Sequence, residues 1–238
     1  TSGILGIESS TTLTLGPAMV VRGKSGNIGQ GVFTFSGTRK LINQGVIAAD
    51  VAGGTINIVP SEFENTGTLE CKNGGAVTLA VSGAAVVEAR NAGAINASSG
   101  GTLPLNGTWN NAGTITVNEA TVNLGGAFKL AELGTLTRTG GAVNLTGILD
   151  LGGGTLTLNT ATGPWLMRGG TLKGGTVQQT EGGKLVFAAS TSVTFDGMRV
   201  VGDLELTSTR ALAVIRNGLT LTGSVILDNT GAITFAGD

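Results

Sequence analysis

Short segments in which apolar residues alternate with Thr, Asn, Glu or Lys recur along the chain. Residues 53–58, 74–79 and 100–105 each begin with a Gly-Gly pair and continue as such an alternation, as in Thr55-Ile56-Asn57-Ile58. A period of two is typical of a β-strand that buries one face and exposes the other. The pattern therefore predicts many short strands that are separated by glycine-rich turns.

A second recurring feature is the tripeptide Asn-x-Gly, which precedes a strand and returns at similar intervals along the chain. Its four copies begin at Asn43, Asn65, Asn91 and Asn111. The first three copies are followed by a Gly-Gly pair and a second strand some eight to ten residues later. The tripeptide and the Gly-Gly strand together define one repeating unit.

Near the C-terminus the repeat has a clean 21-residue period. The matched positions are Gly202, Leu204, Leu206, Leu212 and Val214, which return as Gly223, Val225, Leu227, Ile233 and Phe235. A unit of this length, made of short strands and corners, is one coil that stacks on the next coil.

These repeats predict an all-β fold: a single-domain parallel β-helix (β-solenoid) of about 11 coils of roughly 20 residues each. A propeller would need blades of about 40 residues, and a β-sandwich does not repeat its strand sequences. The crossover rule favours right-handed coiling. Within the domain, 1–238, we expect less regular coils in 1–40, Asn-x-Gly coils in 41–126, and Gly-Gly and 21-residue coils in 127–238.

Composition agrees with this fold and excludes others. Glycine supplies 42 of the 238 residues, which excludes a helical bundle because Gly destabilises helix interiors. The hydrophobic share of 40% is too high for a disordered linker, and no Gly recurs at every third position as collagen requires. The nearest helix candidate, 127–133, covers two turns between glycines and is equally compatible with a bulged loop.

The Asn-x-Gly turns predict a row of amides inside the coils. Asn tolerates the left-handed backbone conformation that a corner needs, and identical Asn side chains in adjacent coils can bond along the axis. We expect the inward-pointing residues of this row to be Asn43, Asn65, Asn91 and Asn111.

Several kinds of chemistry are missing from the chain. Without His or Tyr there is no Ser-His-Asp triad, His-ligated metal or phenolic acid, so we expect no cofactor, no metal and no enzyme activity. Cys71, the one cysteine, is interpreted as a small buried hydrophobe. A net charge of −1 without a basic cluster argues against nucleic-acid binding, and no apolar run is long enough to insert into a membrane.

A few side chains nevertheless qualify as candidates for binding. Asp196, Arg199, Asp203 and Glu205 concentrate charge in a charge-poor chain, with Asp203 and Glu205 on the same side of one strand. Such a group either binds calcium or an acidic sugar or keeps the outer face soluble.

Two pairs of residues beside turns are weighed in the same way. Trp109 and Trp165 either stack a sugar ring or pack in the core. Glu62 and Glu64 flank Phe63 and are interpreted as a charged turn after Pro60.

The turn Asn-x-Gly-Thr-Ile, followed by Gly-Gly-x-Leu-x-Leu, resembles the repeats of bacterial cell-surface β-helices. These are autotransporter passengers, filamentous-haemagglutinin-like adhesins and giant exoproteins, and residues 200–238 are similar to tandem repeats of the last group. The resemblance covers most of the chain after Leu41. It implies a secreted or cell-surface stalk or adhesive segment whose partners are cell-surface glycans or neighbouring coils of the same parent protein. The start at Thr1, without Met, leads us to expect a piece of a longer protein.

Two alternatives remain open beside the structural stalk. The first is a β-helix that binds or cleaves an acidic polysaccharide along a groove, with Asp196, Arg199, Asp203 and Glu205 as its candidate residues. The second is an ice- or surface-binding solenoid. It would use Thr-x-Thr rows, but those of this sequence do not fall in register at one face of every coil.

Overall fold

The computed structural model describes residues 2–33, 36–81 and 88–237. It is an all-β solenoid of stacked parallel sheets with about 11 turns spaced about 21 residues apart, which confirms the predicted fold class. The strands of the described residues are β1 Gly3–Leu5, β2 Thr12–Leu15, β3 Val20–Gly23, β4 Ser25–Ile28, β5 Lys40–Asn43, β6 Val46–Ala49, β7 Thr55–Ile58, β8 Glu62–Asn65, β9 Thr68–Cys71, β10 Ala76–Ala80, β11 Glu88–Asn91, β12 Ala94–Ser98, β13 Thr102–Asn106, β14 Thr108–Asn111, β15 Thr114–Asn118, β16 Thr121–Leu124, β17 Ala127–Lys129, β18 Thr135–Thr139, β19 Ala142–Leu145, β20 Ile148–Asp150, β21 Thr155–Leu158, β22 Trp165–Met167, β23 Thr171–Gln179, β24 Leu185–Phe187, β25 Ser192–Val201, β26 Leu204–Leu206, β27 Leu212–Thr222, β28 Val225–Leu227 and β29 Ala232–Phe235.

The chain divides into two compact units. The first consists of Thr1–Gly126 with Glu132–Gly141, and the second of Ala127–Ala131 with Ala142–Asp238. The helix candidate at 127–133 forms strand β17 and a 3₁₀ turn at Leu130–Glu132, so both the helix and the bulged loop expected there are wrong.

In the first unit each coil adds one strand to each of three parallel sheets. Their strand orders are β1-β4-β7-β10-β13-β16, β2-β5-β8-β11-β14 and β3-β6-β9-β12-β15-β18. The inward side chains stack in register from coil to coil, as Ile47, Leu69, Ile95 and Ile115 do in the third sheet. All four are at most 2% exposed, so the core is a set of continuous apolar rows along the stacking direction.

The glycines of the turns have two separate roles. At Asn73-Gly74 both residues have positive φ, of 55° and 74°, which Gly and Asn tolerate best. At Gly93 φ is ordinary, but a Cβ would lie 2.1 Å from the carbonyl oxygen of Gly67 in the preceding coil. The glycine of Asn-x-Gly is therefore required by the close approach of stacked backbones.

A buried row of amides runs through the same unit along the second sheet. Asn43, Asn65, Asn91 and Asn111 are register partners at the ends of their strands and at most 6% exposed. Each Nδ2 donates to the Oδ1 of the next residue, at 2.6, 2.5 and 2.6 Å, and Asn111 Nδ2 donates to the carbonyl oxygen of Leu133 at 2.7 Å. None of the four has positive φ, so the left-handed conformation expected for them is wrong. Their role is hydrogen bonding between coils.

In the second unit the strand orders are β19-β22-β24, β17-β20-β23-β25-β27-β29 with β21 also paired to β23, and β26-β28. Strands β23, β25 and β27 have 9, 10 and 11 residues, longer than any others among the described residues. Each bends at residues of positive φ, namely Gly174, Gly197 and the pair Asn217-Gly218. The register shifts between Asp196 and Met198 because β27 has one more residue than β25 at the bend.

Candidate functional site

The four charged residues that the sequence singled out have separate partners. Asp196 lies on β25, and its Oδ1 accepts a hydrogen bond of 2.6 Å from Asn217 Nδ2. Asp203 Oδ1 accepts one of 2.7 Å from the main-chain N–H of Ser224. Glu205 Oε2 lies 2.9 Å from Lys184 Nζ. Each carboxylate is thus used locally, on a different neighbour.

The fourth member, Arg199, is exposed and projects outward from β25 between the buried Met198 and Val200. Its Nη2 donates to Thr222 Oγ1 at 3.5 Å, and no carboxylate of the described residues lies within ion-pairing distance of it. The described part of the chain also has no group of three or more His, Cys, Asp or Glu side chains that could hold a metal ion. The predicted cluster therefore does not converge on one point.

A shallow depression, here called the bend groove, lies where β23, β25 and β27 bend. Its lining includes Thr176, Arg199, Thr220, Gly197, Asn217 and Gly218. Thr176, Arg199 and Thr220 are register partners, so the guanidinium has a threonine on each neighbouring strand. A Cβ added to Gly218 would meet nothing within 4 Å, so the space beside this glycine is open.

A row of alternating charge, here called the charge row, lies on the other side of the bend. Its members are register partners on β17, β20, β23, β25 and β27, namely Lys129, Asp150, Lys173, Asp196 and Arg216. Opposite charges on adjacent strands favour this pairing. Sequence reasoning missed the row, although its members lie one coil apart along the chain and alternate in sign.

Cys71 is a core residue, as interpreted from the sequence. It is 1% exposed and stacks in register between Ala49 and Ala97. Burial raises the pKa of its thiol to about 12. Because the thiolate is the reactive form, this residue is not an activated nucleophile.

The two tryptophans are also in the core, so the sugar-stacking role considered for them is wrong. Trp109 is 2% exposed, and its Nε1 donates to the carbonyl oxygen of Gly125 at 2.9 Å. Trp165 is 1% exposed and is the register partner of Val143 and Leu185. Neither indole presents a face to solvent.

Glu62 and Glu64 lie in strand β8, not in the charged turn expected after Pro60. Glu64 Oε2 lies 3.3 Å from Lys40 Nζ on the adjacent strand. Glu62 is exposed and is the register partner of Lys40. Both residues thus belong to the polar outer face of a sheet.

Threonines on β15 and β18 bear on the surface-binding alternative. Thr114 and Thr116 are register partners of Thr135 and Thr137. In the preceding coil the same positions are Ala94 and Asn96, so the double row of threonines stops there. The double row of threonines therefore covers two coils, whereas a surface-binding face would need threonines on every coil.

Comparisons with known proteins give one partial similarity. No family model and no solved structure matches the chain. A curated protein named deoxyribonuclease CdiA, from Dickeya dadantii (strain 3937), is 29% identical over 193 residues, which make up 75% of this chain. The chain spans about 5% of the length of that relative. Within the described residues, no helix combines the length and apolar character needed to cross a membrane.

Proposed function

We propose that this chain is a non-catalytic structural segment of an exported bacterial surface protein. The observation that carries the proposal is the continuity of the inward rows. In the third sheet of the first unit, Ile47, Leu69, Ile95 and Ile115 stack in register without a gap. Coils of this kind extend a chain by repetition and leave their outer faces free for contacts.

The dispersed titratable groups support the non-catalytic part of the proposal. Acid–base catalysis needs two groups that reach the same substrate atoms, whereas Asp196, Asp203 and Glu205 each bond to a different neighbour. The single thiol is buried and holds its proton through neutral pH. The other polar groups of the described surface are hydroxyls, amides and charged side chains, several of which form ion pairs with neighbours.

The similarity to a segment of a much longer protein supports the structural part. In that relative the matched region is a small fraction of the whole, so the activity in its name can belong to a part that this chain does not match. The exported location rests on this similarity and on the resemblance of the repeats to those of cell-surface β-helices.

Exposure on the cell is tested by an epitope inserted between Gly152 and Gly153 of the parent protein in its native host. This turn is exposed, and a Cβ at either glycine meets nothing within 4 Å, so an inserted segment has room to extend into solvent. We expect antibody labelling of intact cells and loss of the epitope after external protease. A cytoplasmic protein carrying the same epitope is the control. An epitope that is reached only after lysis would contradict the proposal.

The absence of catalysis is tested on the purified chain with plasmid DNA and magnesium, and separately with pectate and alginate. We expect no cleavage of any of the three substrates. The matched variant replaces Asp203 and Glu205 with Asn and Gln, which removes both charges at nearly constant volume. Turnover that disappears in this variant would overturn the non-catalytic assignment.

A further inference from the structure

We propose that the bend groove is a binding site for a carboxylated polysaccharide, with Arg199 as the residue that receives the carboxylate. The inference rests on the proposed exposed segment and adds a class of ligand to it. It concerns binding only, because the groove has no pair of acids that could cleave a glycosidic bond.

The first argument is the state of the guanidinium. Arg199 is exposed at the edge of a concave surface, and its hydrogen bond to Thr222 Oγ1 is long, at 3.5 Å. The nearest acid along its strand, Asp196, is engaged by Asn217. The planar fork of Arg199 is therefore available for a bidentate bond to a carboxylate, the geometry that arginine matches best.

The second argument is the arrangement of hydroxyl groups. Thr176 and Thr220 flank Arg199 in register, so each lies about 4.8 Å from it across the sheet, the spacing of adjacent strands. This row places hydroxyls on both sides of the cation along a straight line. Sugars offer hydroxyl groups on both sides of each carboxylate in the same way, whereas a fatty acid or a hydrophobic peptide does not.

The third argument is access. The bend includes Gly197 and Gly218, neither of which has a side chain that could cover the groove, and a Cβ at Gly218 would meet nothing within 4 Å. The charge row on the other side of the bend has three cations and two carboxylates. The local charge therefore favours an anionic ligand although the chain as a whole carries a net charge of −1.

The small number of cations in the groove favours a polyuronate over a nucleic acid as the ligand. DNA binding draws its affinity from several phosphate contacts at once, and the groove lining contains one cation. A uronic acid polymer carries its charge on a carboxylate within each sugar ring, so one arginine and two hydroxyls fit one repeat of the ligand.

The test is calorimetric titration of the purified chain with an oligomer of galacturonic acid. The same oligomer with its carboxylates methyl-esterified is the matched neutral probe, and a DNA duplex of similar length is the second comparison. We expect binding of the acidic oligomer and at least a tenfold weaker affinity for the ester. We expect the DNA to bind no more tightly than the ester.

Variants assign the site. Arg199→Gln should weaken binding at least tenfold, and Arg199→Lys should restore only part of it because the fork is lost. Arg168→Gln removes the same charge from an exposed position of the same unit outside the groove and should leave affinity within twofold. Thr220→Ala should weaken binding less than Arg199→Gln does.

The proposal is wrong if the acidic oligomer does not bind, if the ester or the DNA binds as tightly, or if Arg168→Gln costs as much as Arg199→Gln. These outcomes are separate from the labelling of intact cells. A chain that is displayed but does not bind refutes the groove alone, and a chain that binds but stays inside the cell refutes the exported role.

Discussion

At the scale of single residues, the buried asparagines show how polar groups can fix a stack of otherwise interchangeable apolar rows. Asn65 Nδ2 donates both to the carbonyl oxygen of Gly67 at 3.3 Å and to Asn91 Oδ1 at 2.5 Å. A shift of the strand by one residue would move the amide to the outer face and leave both acceptor oxygens without their donor. The row therefore selects one register, which apolar contacts alone select less sharply.

Replacing Asn91 with Ala should lower the free energy of unfolding by about 1 to 3 kcal/mol. The substitution removes the acceptor of Asn65 Nδ2 and the donor to Asn111 Oδ1 in a buried place. Urea unfolding followed by far-UV circular dichroism measures the change. Asn118→Ala, at an exposed strand end, is the control and should stay within about 0.5 kcal/mol of the wild type. Equal stability of the two variants would show that the amide row contributes nothing.

Cys71 should make stability fall at alkaline pH. Its pKa is about 12 in the folded protein against 9.0 for the free thiol, so the unfolded chain loses its proton first as pH rises. The contribution of the protonated thiol is complete below pH 9 and is lost progressively up to pH 12. Because the chain has no Tyr, no phenol titrates in the same window.

The measurement is the free energy of unfolding of wild type and Cys71→Ala between pH 8 and pH 12. Alanine fits because both register neighbours of Cys71, Ala49 and Ala97, are alanines. We expect the wild type to lose stability more steeply than the variant above pH 9, with parallel curves below it. Parallel curves over the whole range would contradict a raised pKa.

At the scale of elements, the sequence predicts straight strands and their turns better than bends. The Gly-Gly and Asn-x-Gly motifs lie at real corners, because a positive φ or a close approach of two backbones requires glycine. The bends of β23, β25 and β27 carry glycines too, but the strand continues through them. Gly174 and Gly197 look like turn residues in a sequence and act as kinks within one long strand.

The difficulty of predicting register from sequence also explains which candidate residues were assigned to the correct face. The Asn row follows from the Asn-x-Gly motif that recurs before a strand in four successive coils, although the intervals between its copies are unequal. Trp109 and Trp165 could not be placed, because a residue beside a turn faces either way and only the register decides. The bend groove was invisible for a related reason. Its residues come from three strands whose alignment depends on an extra residue at Asn217-Gly218.

The charge row should contribute to strand pairing in the second unit. Asp196→Lys would place three positive charges on adjacent strands, at 173, 196 and 216. We expect a loss of roughly 0.5 to 1 kcal/mol in low salt that shrinks in 1 M salt, because exposed charges are screened. Asp196→Asn, which keeps an oxygen acceptor for Asn217, is the control and should cost less. A loss that is unchanged by salt would point to the hydrogen bond and not to the charges.

At the scale of the whole molecule, the coil is the unit that can be counted, added or removed. Val201 and Thr222 are register partners, so they occupy the same position in successive coils. The segment that follows Val201 and ends at its partner, Gly202–Thr222, is one full period of the C-terminal repeat. In a repeat protein whose coils contact their neighbours, removing one period leaves every remaining contact of the same kind.

Deleting residues 202–222 should therefore preserve the fold. Val201 would join Gly223, and β28 would take the place of β26, whose register partners are 21 residues away. β29 would take the place of the first half of β27 after a connection one residue shorter. Leu212 and Val214 pair with Ala232 and Thr234, 20 residues away, so their predicted match to Ile233 and Phe235 is wrong. Deleting residues 202–212 instead joins Val201 to Ala213 and removes about half a coil, so that the exposed Asn217 falls at the buried position of Leu206. We expect the first variant to keep the β-type circular dichroism spectrum, cooperative unfolding and resistance to protease, and the second to lose the last two. If both deletions were tolerated equally, the 21-residue period would not be the structural repeat of this chain, and the stacking of its coils would have to be set by something other than register.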